Sequence, residues 1–407
     1  MTLLAVAQVV TGGPASASTP TSALSPIVES QMTVGQQQEQ CAQRAALTRS
    51  SGNYSCTTHV KANNPNLPAK RAATRPDSLR ALDSGDFSSQ AVAPACSEGY
   101  YNPNRFTSCS EQSWIVTNTQ TVNGATAVVG EMTILFNSSV EFAEGSDPSG
   151  WDLDTDLTVT SAWGTLASGI TGTMWTGCYG HPDKCTTSQL QDSNGENEAI
   201  VLGNGTHISK WYTQYPDTLL YNEVLSLNGN LGSAIRLNTP GNAVTLADHQ
   251  ANTLFGRCDN LPNRYGAGCV DDQGLSYVLY DTRDNPAVGH VAQHVFDAIR
   301  NLPSHWGSPY GSVLNRITDQ AAIDNNRAIS CGSVVTGPGE SCDEYPLAST
   351  KQGGNGAAPG DRSTRVVPQS ANDSQGGLTG AYYDYYRILD NNEFYVQAVL
   401  ADGTSAW

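Results

Sequence analysis

Residues 113–136 read SWIVTNTQTVNGATAVVGEMTILF and decide the fold class of the middle of the chain. Two runs rich in β-branched and aromatic residues, 113–117 and 126–136, stand on either side of Asn123-Gly124. Asn-Gly between two such runs is a strong hairpin signal, because both residues accept the positive φ angles of a type I′ turn. The sequence therefore predicts two antiparallel strands here.

Further short β-prone runs follow this hairpin at fairly regular intervals. Residues 157–160 (LTVT) and 198–202 (EAIVL) are examples, and turn residues such as those at 147–150 (DPSG) separate the runs. Regularly spaced short strands with turn signals between them are typical of an antiparallel sandwich. We therefore predict a mainly-β, sandwich-like middle domain over residues 96–257.

The composition favours an extracellular protein and constrains how it could bind nucleic acid. The chain has 407 residues, enough for two or three domains, and only 14% of them are charged. That charged fraction suits an extracellular β-rich protein better than a helical cytosolic enzyme. The net charge is −17, and from residue 261 onwards 9 basic residues stand against 16 acidic ones. A nucleic-acid partner would therefore need a local basic patch and a bound cation.

The N-terminus has the pattern of an export signal. Residues 3–10 form an apolar run that is too short to span a bilayer, and the small-residue stretch 15–17 (ASA) follows it. We predict a signal peptide over residues 1–17 and a secreted, soluble mature protein with no membrane segment. Residues 18–95 are rich in Ser, Thr, Ala, Gln and Pro, which predicts a low-complexity propeptide or linker that is partly disordered.

The cysteines point to disulfides. Ten cysteines, an even number, in an exported chain imply a disulfide framework whose connectivity the sequence leaves open. Our hypothesis is five local bridges between consecutive cysteines. A structural zinc site is not expected, because no two cysteines have the close spacing of zinc ligands. The hypothesised pairs are Cys41 with Cys56, Cys96 with Cys109, Cys178 with Cys185, Cys258 with Cys269, and Cys331 with Cys342.

The C-terminal third mixes strand and helix patterns. Residues 275–280 and 393–399 are β-prone, whereas 288–302 places its apolar residues on one face of a helix. Residues 321–329 indicate a second, shorter helix. A mixed unit of this length is an ordinary α+β domain, which we predict over residues 258–407.

One segment of this third carries a family signature. Cys342-Asp343-Glu344-Tyr345-Pro346, followed by Gly-Gly at 353–354, resembles the signature of the NucA/NucB-type deoxyribonucleases, which are small extracellular bacterial endonucleases. The resemblance extends from about residue 269 to residue 399, because other segments follow in the family's order. These segments are 294–299 (HVFDAI), 318–319 (TD), 326–331 (NRAISC), 367–368 (VP), 372 (N), 375–377 (QGG), 387–389 (RIL) and 394–396 (FYV).

The resemblance implies a metal-dependent endonuclease that hydrolyses DNA with little sequence specificity. Such hydrolysis needs an activated water and a group that offsets charge on the phosphate, so Asp343 and Glu344 are the candidate catalytic acidic pair. If the segment is extended, the two carboxylates point to opposite faces and should have different roles. The family match also makes His294 a catalytic candidate.

A looser similarity concerns the metal. Nucleases with a ββα-metal site place a general base on a strand and a metal-binding Asn on a following helix, which suggests a ββα-metal-like nuclease domain here. Glu344 and Asn372 are then the candidate metal ligands, and Mg²⁺ or Mn²⁺ is the expected cofactor because hard cations take oxygen ligands. One departure is Tyr386, where the family often has an Asn.

Three basic residues are candidates to contact the substrate phosphate. They are Lys351, Arg365 and Arg387, and plain surface solvation is an equal alternative for each. DNA is the expected partner, bound non-specifically by a monomer.

Two alternatives stay open. The chain could be a catalytically inactive secreted protein that binds nucleic acid or a surface, or a contact-dependent DNase toxin with an inhibitor or immunity protein. A protease is disfavoured, because neither a G-x-S-x-G nor an H-E-x-x-H motif occurs in the sequence.

Overall fold

The computed structural model is built mainly of β-sheets, with a few helices. The predicted signal peptide over residues 1–17 and most of the predicted linker lie outside the described residues. Among the residues it describes, no helix combines the length and the apolar composition needed to cross a bilayer. The described residues are 34–48, 51–60, 99–101, 105–142, 150–178, 185–188, 198–216, 219–227, 231–247, 254–274 and 276–407.

The N-terminal and middle parts consist of one helix and fourteen strands in the described residues. In chain order they are α1 (Val34–Thr48), β1 (Gly52–Val60), β2 (Gly99–Tyr101), β3 (Thr107–Val122), β4 (Ala125–Phe142), β5 (Trp151–Gly164), β6 (Ile170–Cys178), β7 (Cys185–Ser188), β8 (Glu198–Leu202), β9 (His207–Pro216), β10 (Val224–Ser226), β11 (Leu231–Asn238), β12 (Ala243–Ala247), β13 (Arg257–Asp259) and β14 (Gly268–Val270).

The hairpin predicted around Asn123-Gly124 is confirmed. Strands β3 and β4 pair antiparallel, with Val122 opposite Ala125 at the turn. Asn123 has a φ of 51° and Gly124 a φ of 79°, which is the left-handed backbone that a type I′ turn requires. The local sequence therefore specifies this turn without help from the rest of the chain.

Two antiparallel sheets share the core of the middle region. The larger has the order β1-β3-β4-β5-β9-β7, with β2 also paired to β3, and the smaller has the order β12-β11-β6-β8. Met132, Ile134 and Phe136, alternate residues of β4, are buried in one cluster with Ile235 and Leu237 of β11. The mainly-β character is thus confirmed, and the sandwich-like layering stays a prediction.

Part of the segment predicted to be a partly disordered linker is structured, since it forms α1 and β1. Strand β1 pairs antiparallel with β3 along its whole length. Cys41 and Ala45 of α1 are buried, and a disulfide joins Cys41 to Cys56 of β1. A weakly amphipathic helix is stabilised here by a covalent link and by contacts with a sheet distant in sequence, neither of which composition reveals.

Three of the five hypothesised disulfides are confirmed. The described bridges are Cys41–Cys56, Cys258–Cys269 and Cys331–Cys342. The other two pairs, Cys96 with Cys109 and Cys178 with Cys185, lie outside the described side chains.

The C-terminal part is a mixture of strands and helices, as predicted. A three-stranded sheet has the order β15-β19-β16, with β19 parallel to β15 and antiparallel to β16. The elements are β15 (Tyr277–Asp281), α2 (Gly289–Asn301), β16 (Leu314–Asn315), α3 (Gln320–Cys331), β17 (Glu340–Tyr345), β18 (Ser363–Pro368), α4 (Gln369–Tyr385) and β19 (Glu393–Val399).

A separate two-stranded unit carries the signature segment. Strands β17 and β18 pair antiparallel, and α4 begins directly after β18 and packs on both strands. Helices α2 and α3 also contact both strands. The order strand, strand, helix is therefore present, and a ββα-metal site stays a prediction.

The middle and C-terminal parts share a hydrophobic cluster. Phe106, Phe142 and Trp151 are buried together with Val278 of β15 and Val291 of α2. The predicted boundary between residues 257 and 258 also falls inside β13. The division into domains stays a prediction, although apolar side chains of both parts pack in one cluster.

Candidate active site

The signature segment lies on β17, and the strand sends its two adjacent carboxylates to opposite sides. Asp343 is 2% exposed and contacts His294 on α2. The side chain of Glu344 is 14% exposed and contacts α3. Successive residues of an extended strand point to opposite faces, so the two carboxylates cannot share one task.

The buried side of the hairpin holds a continuous hydrogen-bond chain. His294 Nδ1 lies 2.7 Å from Asp343 Oδ2, and His294 Nε2 lies 2.9 Å from Ser363 Oγ on β18. His294 is fully buried, on the apolar face of α2 between Val291 and Val295. The helix thus fixes the imidazole, and the strand pairing brings Asp343 and Ser363 to its two nitrogens.

The other side of the hairpin is more open and holds Glu344. Arg327 Nε on α3 lies 3.8 Å from Glu344 Oε1, and the Arg327 side chain is 56% exposed. The Cys331–Cys342 disulfide lies next to this pair, with Cys331 Sγ 3.6 Å from Glu344 Oε2. Thr364, directly across from Glu344 on β18, is exposed to solvent.

Burial raises the pKa of the Glu344 carboxyl to about 7. The neighbouring negative charge of Asp343 adds to the rise, whereas the Arg327 guanidinium opposes it. A carboxyl group whose pKa lies near neutrality exchanges protons readily at physiological pH, which is the property of a general base or acid.

The loop that follows the signature segment is held against α3. Asn326 Nδ2 donates to the carbonyl oxygens of Ala348 at 2.9 Å and Thr350 at 3.1 Å. Gly354 has a φ of 53°, and a Cβ there would lie 2.7 Å from Asn326 Cα. The Gly-Gly at 353–354 is therefore required by backbone conformation and close packing.

The structure does not bring the two predicted metal ligands together. Asn372 Nδ2 donates to Ser341 Oγ at 2.8 Å, and Ser341 shares the strand face of Asp343. Glu344 lies on the opposite face. In the described part of the chain, no group of three or more His, Cys, Asp or Glu residues could hold a metal ion. These side chains do not fit a preformed metal site.

The three predicted phosphate contacts differ in their surroundings. Lys351 is exposed, in the loop between β17 and β18. Arg365 is half-buried and pairs with Asp297 of α2, with 2.8 Å between Nη2 and Oδ2. Arg387 is only 4% exposed, and its Nη1 lies 2.8 Å from Asp259 Oδ1.

The prediction for Arg387 is therefore wrong. Its guanidinium belongs to a buried network in which Arg257 Nη1 and Arg105 Nη2 donate to Asn392 Oδ1 at 2.8 and 3.2 Å. Arg257 Nη2 also donates to the backbone oxygen of Arg387, at 2.5 Å. A guanidinium committed to a buried carboxylate cannot turn outwards to a phosphate, and this network instead ties the middle part to the C-terminal part.

Two residues of the site were not assigned by sequence reasoning. Arg327 precedes Cys331 by one helical turn, and Cys342 lies two residues before Glu344. The hypothesised Cys331–Cys342 bridge was therefore a signal that could have placed Arg327 beside Glu344. Ser363 carried no such signal, because only the register of β17 against β18 places it next to His294.

Comparison with known families agrees with the position of this site. Residues 312–397 match the family model of deoxyribonuclease NucA/NucB. This region is similar to the NucA/NucB deoxyribonucleases. The match includes Arg327, Asp343, Glu344 and Asn372 and begins after His294. No curated protein matches the chain.

Proposed function

We propose that the NucA/NucB region hydrolyses phosphodiester bonds of DNA with little sequence preference, with Glu344 as the general base and Arg327 as a phosphate contact. The observation that carries this proposal is the pairing of the two side chains on the open side of the signature strand. A half-buried carboxylate beside an exposed guanidinium offers a proton acceptor and an anion contact at one place.

The chemistry follows from the two groups. The Glu344 carboxylate accepts a proton from a water molecule as the water oxygen bonds to phosphorus. The bond from phosphorus to the departing sugar oxygen breaks, and that oxygen takes up a proton from solvent water. Arg327 offsets the charge that builds up on the phosphate oxygens, which stabilises the transition state. Lys351 is proposed as a weaker contact to a flanking phosphate, whereas Arg365 lies across from Asp343, on the face opposite Glu344, and is left out of this site.

Asp343 and His294 act on this reaction as positioning residues. Their hydrogen bond fixes β17 against α2 from the buried side, while Glu344 lies on the other side of the same strand. The Asp343 charge also contributes to the raised pKa of Glu344.

A divalent cation is what the NucA/NucB type implies. Since Glu344 and Asn372 lie on opposite faces, we propose no shared site for them and no step through a metal ion.

The three described disulfides and the NucA/NucB type are consistent with a secreted protein. We propose that the chain is exported through the signal peptide over residues 1–17 and acts on extracellular DNA as a monomer.

The test is a plasmid-nicking assay on the purified full chain with Mg²⁺, with Mn²⁺ and with EDTA. Glu344→Gln should lower the rate by about 10²-fold or more, because it removes the base without changing the shape of the side chain. Glu340→Gln is the matched control, since Glu340 lies on the same strand and its side chain accepts from Gly337 N at 2.7 Å, away from Arg327. An intact plasmid in every condition, from folded protein, would favour the nucleic-acid-binding alternative.

A further inference from the structure

We propose that Ser363, His294 and Asp343 form a second reactive site, in which Ser363 is a nucleophile towards ester and phosphonate electrophiles. The site lies on the opposite face of the hairpin from Glu344. The proposal is independent of DNA cleavage.

The three side chains come from three separate elements and are joined by two successive hydrogen bonds. Asp343 Oδ2 lies 2.7 Å from His294 Nδ1, and His294 Nε2 lies 2.9 Å from Ser363 Oγ. An acid that orients an imidazole, which in turn contacts a hydroxyl, is the arrangement that activates serine nucleophiles on many unrelated folds.

The hydrogen-bond roles follow from the chemistry of each group. An ionised carboxylate can only accept, so His294 Nδ1 carries the proton that is donated to Asp343. His294 Nε2 then has a free lone pair and accepts from the Ser363 hydroxyl. The hydroxyl oxygen is thereby made a better nucleophile, and its proton has a defined acceptor.

The exposure of the three hydrogen-bonded side chains increases in the order that a nucleophilic site requires. His294 and Asp343 are buried, at 0% and 2% exposed, whereas Ser363 is only half-buried at the start of β18. A histidine with a purely structural role would need hydrogen-bond partners for both ring nitrogens. It would not need one of those partners to be accessible to solvent. Of the three side chains, Ser363 is the one that an electrophile can reach.

The segment before Ser363 is held rigidly. Asp361 Oδ1 accepts from Ser304 N at 3.0 Å, and Trp306 Nε1 donates to Asp361 O at 3.1 Å. On the next residue, Arg362 Nη1 donates to Gly354 O at 2.5 Å. A reactive group needs such support, because a small displacement from the base reduces its reactivity strongly.

A fluorophosphonate probe reports this reactivity directly. Ser363 Oγ forms a bond to the phosphorus of the probe, the phosphorus–fluorine bond breaks, and fluoride leaves with the electron pair. The Ser363 proton passes to His294 Nε2, whose Nδ1–H stays bonded to Asp343. No oxidant, cofactor or metal ion takes part in this step.

The experiment treats the folded full chain with a fluorophosphonate probe in EDTA and locates the adduct by peptide mass mapping. We expect one adduct, on Ser363, and at least a 10²-fold slower reaction in Asp343→Asn, which keeps the shape of the side chain. Ser363→Ala should abolish labelling. Ser374→Ala, which removes a hydroxyl that donates to the Ser370 carbonyl at 2.8 Å, should label like the unchanged chain.

A folded chain that acquires no adduct on Ser363, or that reacts equally fast in Asp343→Asn, would overturn the proposal. DNA cleavage is measured on the same samples, so the two proposals fail separately. Cleavage without labelling removes only the serine site, whereas labelling without cleavage removes only the proposed nuclease function. If Asp343→Asn does not fold, the rate of p-nitrophenyl acetate hydrolysis is compared between Ser363→Ala and the unchanged protein. Equal rates in the two proteins would overturn the proposal.

Discussion

Arg327 and Glu344 face each other on the open side of the β17–β18 hairpin, with 3.8 Å between Nε and Oε1. The two residues come from different elements, and the Cys331–Cys342 disulfide holds those elements together. This relationship places a cation next to the carboxylate in the signature segment. It makes the proposed nuclease function testable by pH and by mutation.

The pH dependence of cleavage should follow the ionisation of Glu344. Burial raises the pKa of this carboxyl to about 7, and only the ionised form accepts a proton from water. We therefore expect kcat/KM to rise with pH and to reach half of its plateau near pH 7. A profile measured on short duplex DNA at constant ionic strength checks this. An activity that is already at its plateau at pH 5 would contradict the role of Glu344.

Replacing Arg327 should shift that profile. The guanidinium lowers the pKa of Glu344, so in Arg327→Ala the pKa rises and the half-point moves to higher pH. Loss of a charged contact to phosphate should also lower kcat/KM by about tenfold or more. Arg300→Ala is the control, because Arg300 is an exposed cation on α2 that lies over the Phe296 ring. Equal effects of both substitutions would indicate only a general charge effect.

Arg387 should matter for stability and not for catalysis. Arg387→Ala leaves Asp259 buried without its 2.8 Å partner, so we expect a loss of about 3–5 kcal/mol in the free energy of unfolding. Arg264→Ala is the matched control, because Arg264 forms an ion pair with Asp384 at the surface. This substitution should lower the free energy of unfolding by less than about 1 kcal/mol. Denaturant unfolding measures both. Similar losses in the two variants would contradict the structural role of Arg387.

The Cys331–Cys342 bridge should support both stability and activity. Replacing both cysteines by serine removes a link between α3 and β17, which should cost about 2–4 kcal/mol. We also expect cleavage to fall in the protein that remains folded, because Arg327 is then less firmly held beside Glu344. Circular dichroism and the nicking assay check the two effects. The double substitution of Cys41 and Cys56, far from the site, should leave cleavage by the folded protein unchanged.

Local patterns predicted the elements well. The turn at Asn123-Gly124 was predicted because a two-residue turn depends on the φ preferences of those two residues. The helix predicted over residues 288–302 is observed at Gly289–Asn301, because its apolar residues recur at the helical period. The strand predicted over residues 393–399 is observed with the same bounds.

Composition does not reveal structure that depends on long-range contacts. The segment 18–95 lacks hydrophobic periodicity, yet part of it forms α1 and β1. The buried Cys41, its bridge to Cys56 and the pairing with β3 stabilise these elements. Arg387 was a candidate phosphate contact for a similar reason, since the sequence does not show that Asp259, more than a hundred residues earlier, lies beside it.

By itself, the sequence determined that Asp343 and Glu344 would lie on opposite faces if their segment were extended, since the alternation of side chains is a local property of extended backbone. Only the tertiary structure decided what each carboxylate meets. His294 and Ser363 reach Asp343, and Arg327 reaches Glu344, because α2, α3 and β18 pack around β17 in one particular arrangement. Such packing depends on the shapes of distant surfaces, and no local pattern encodes it.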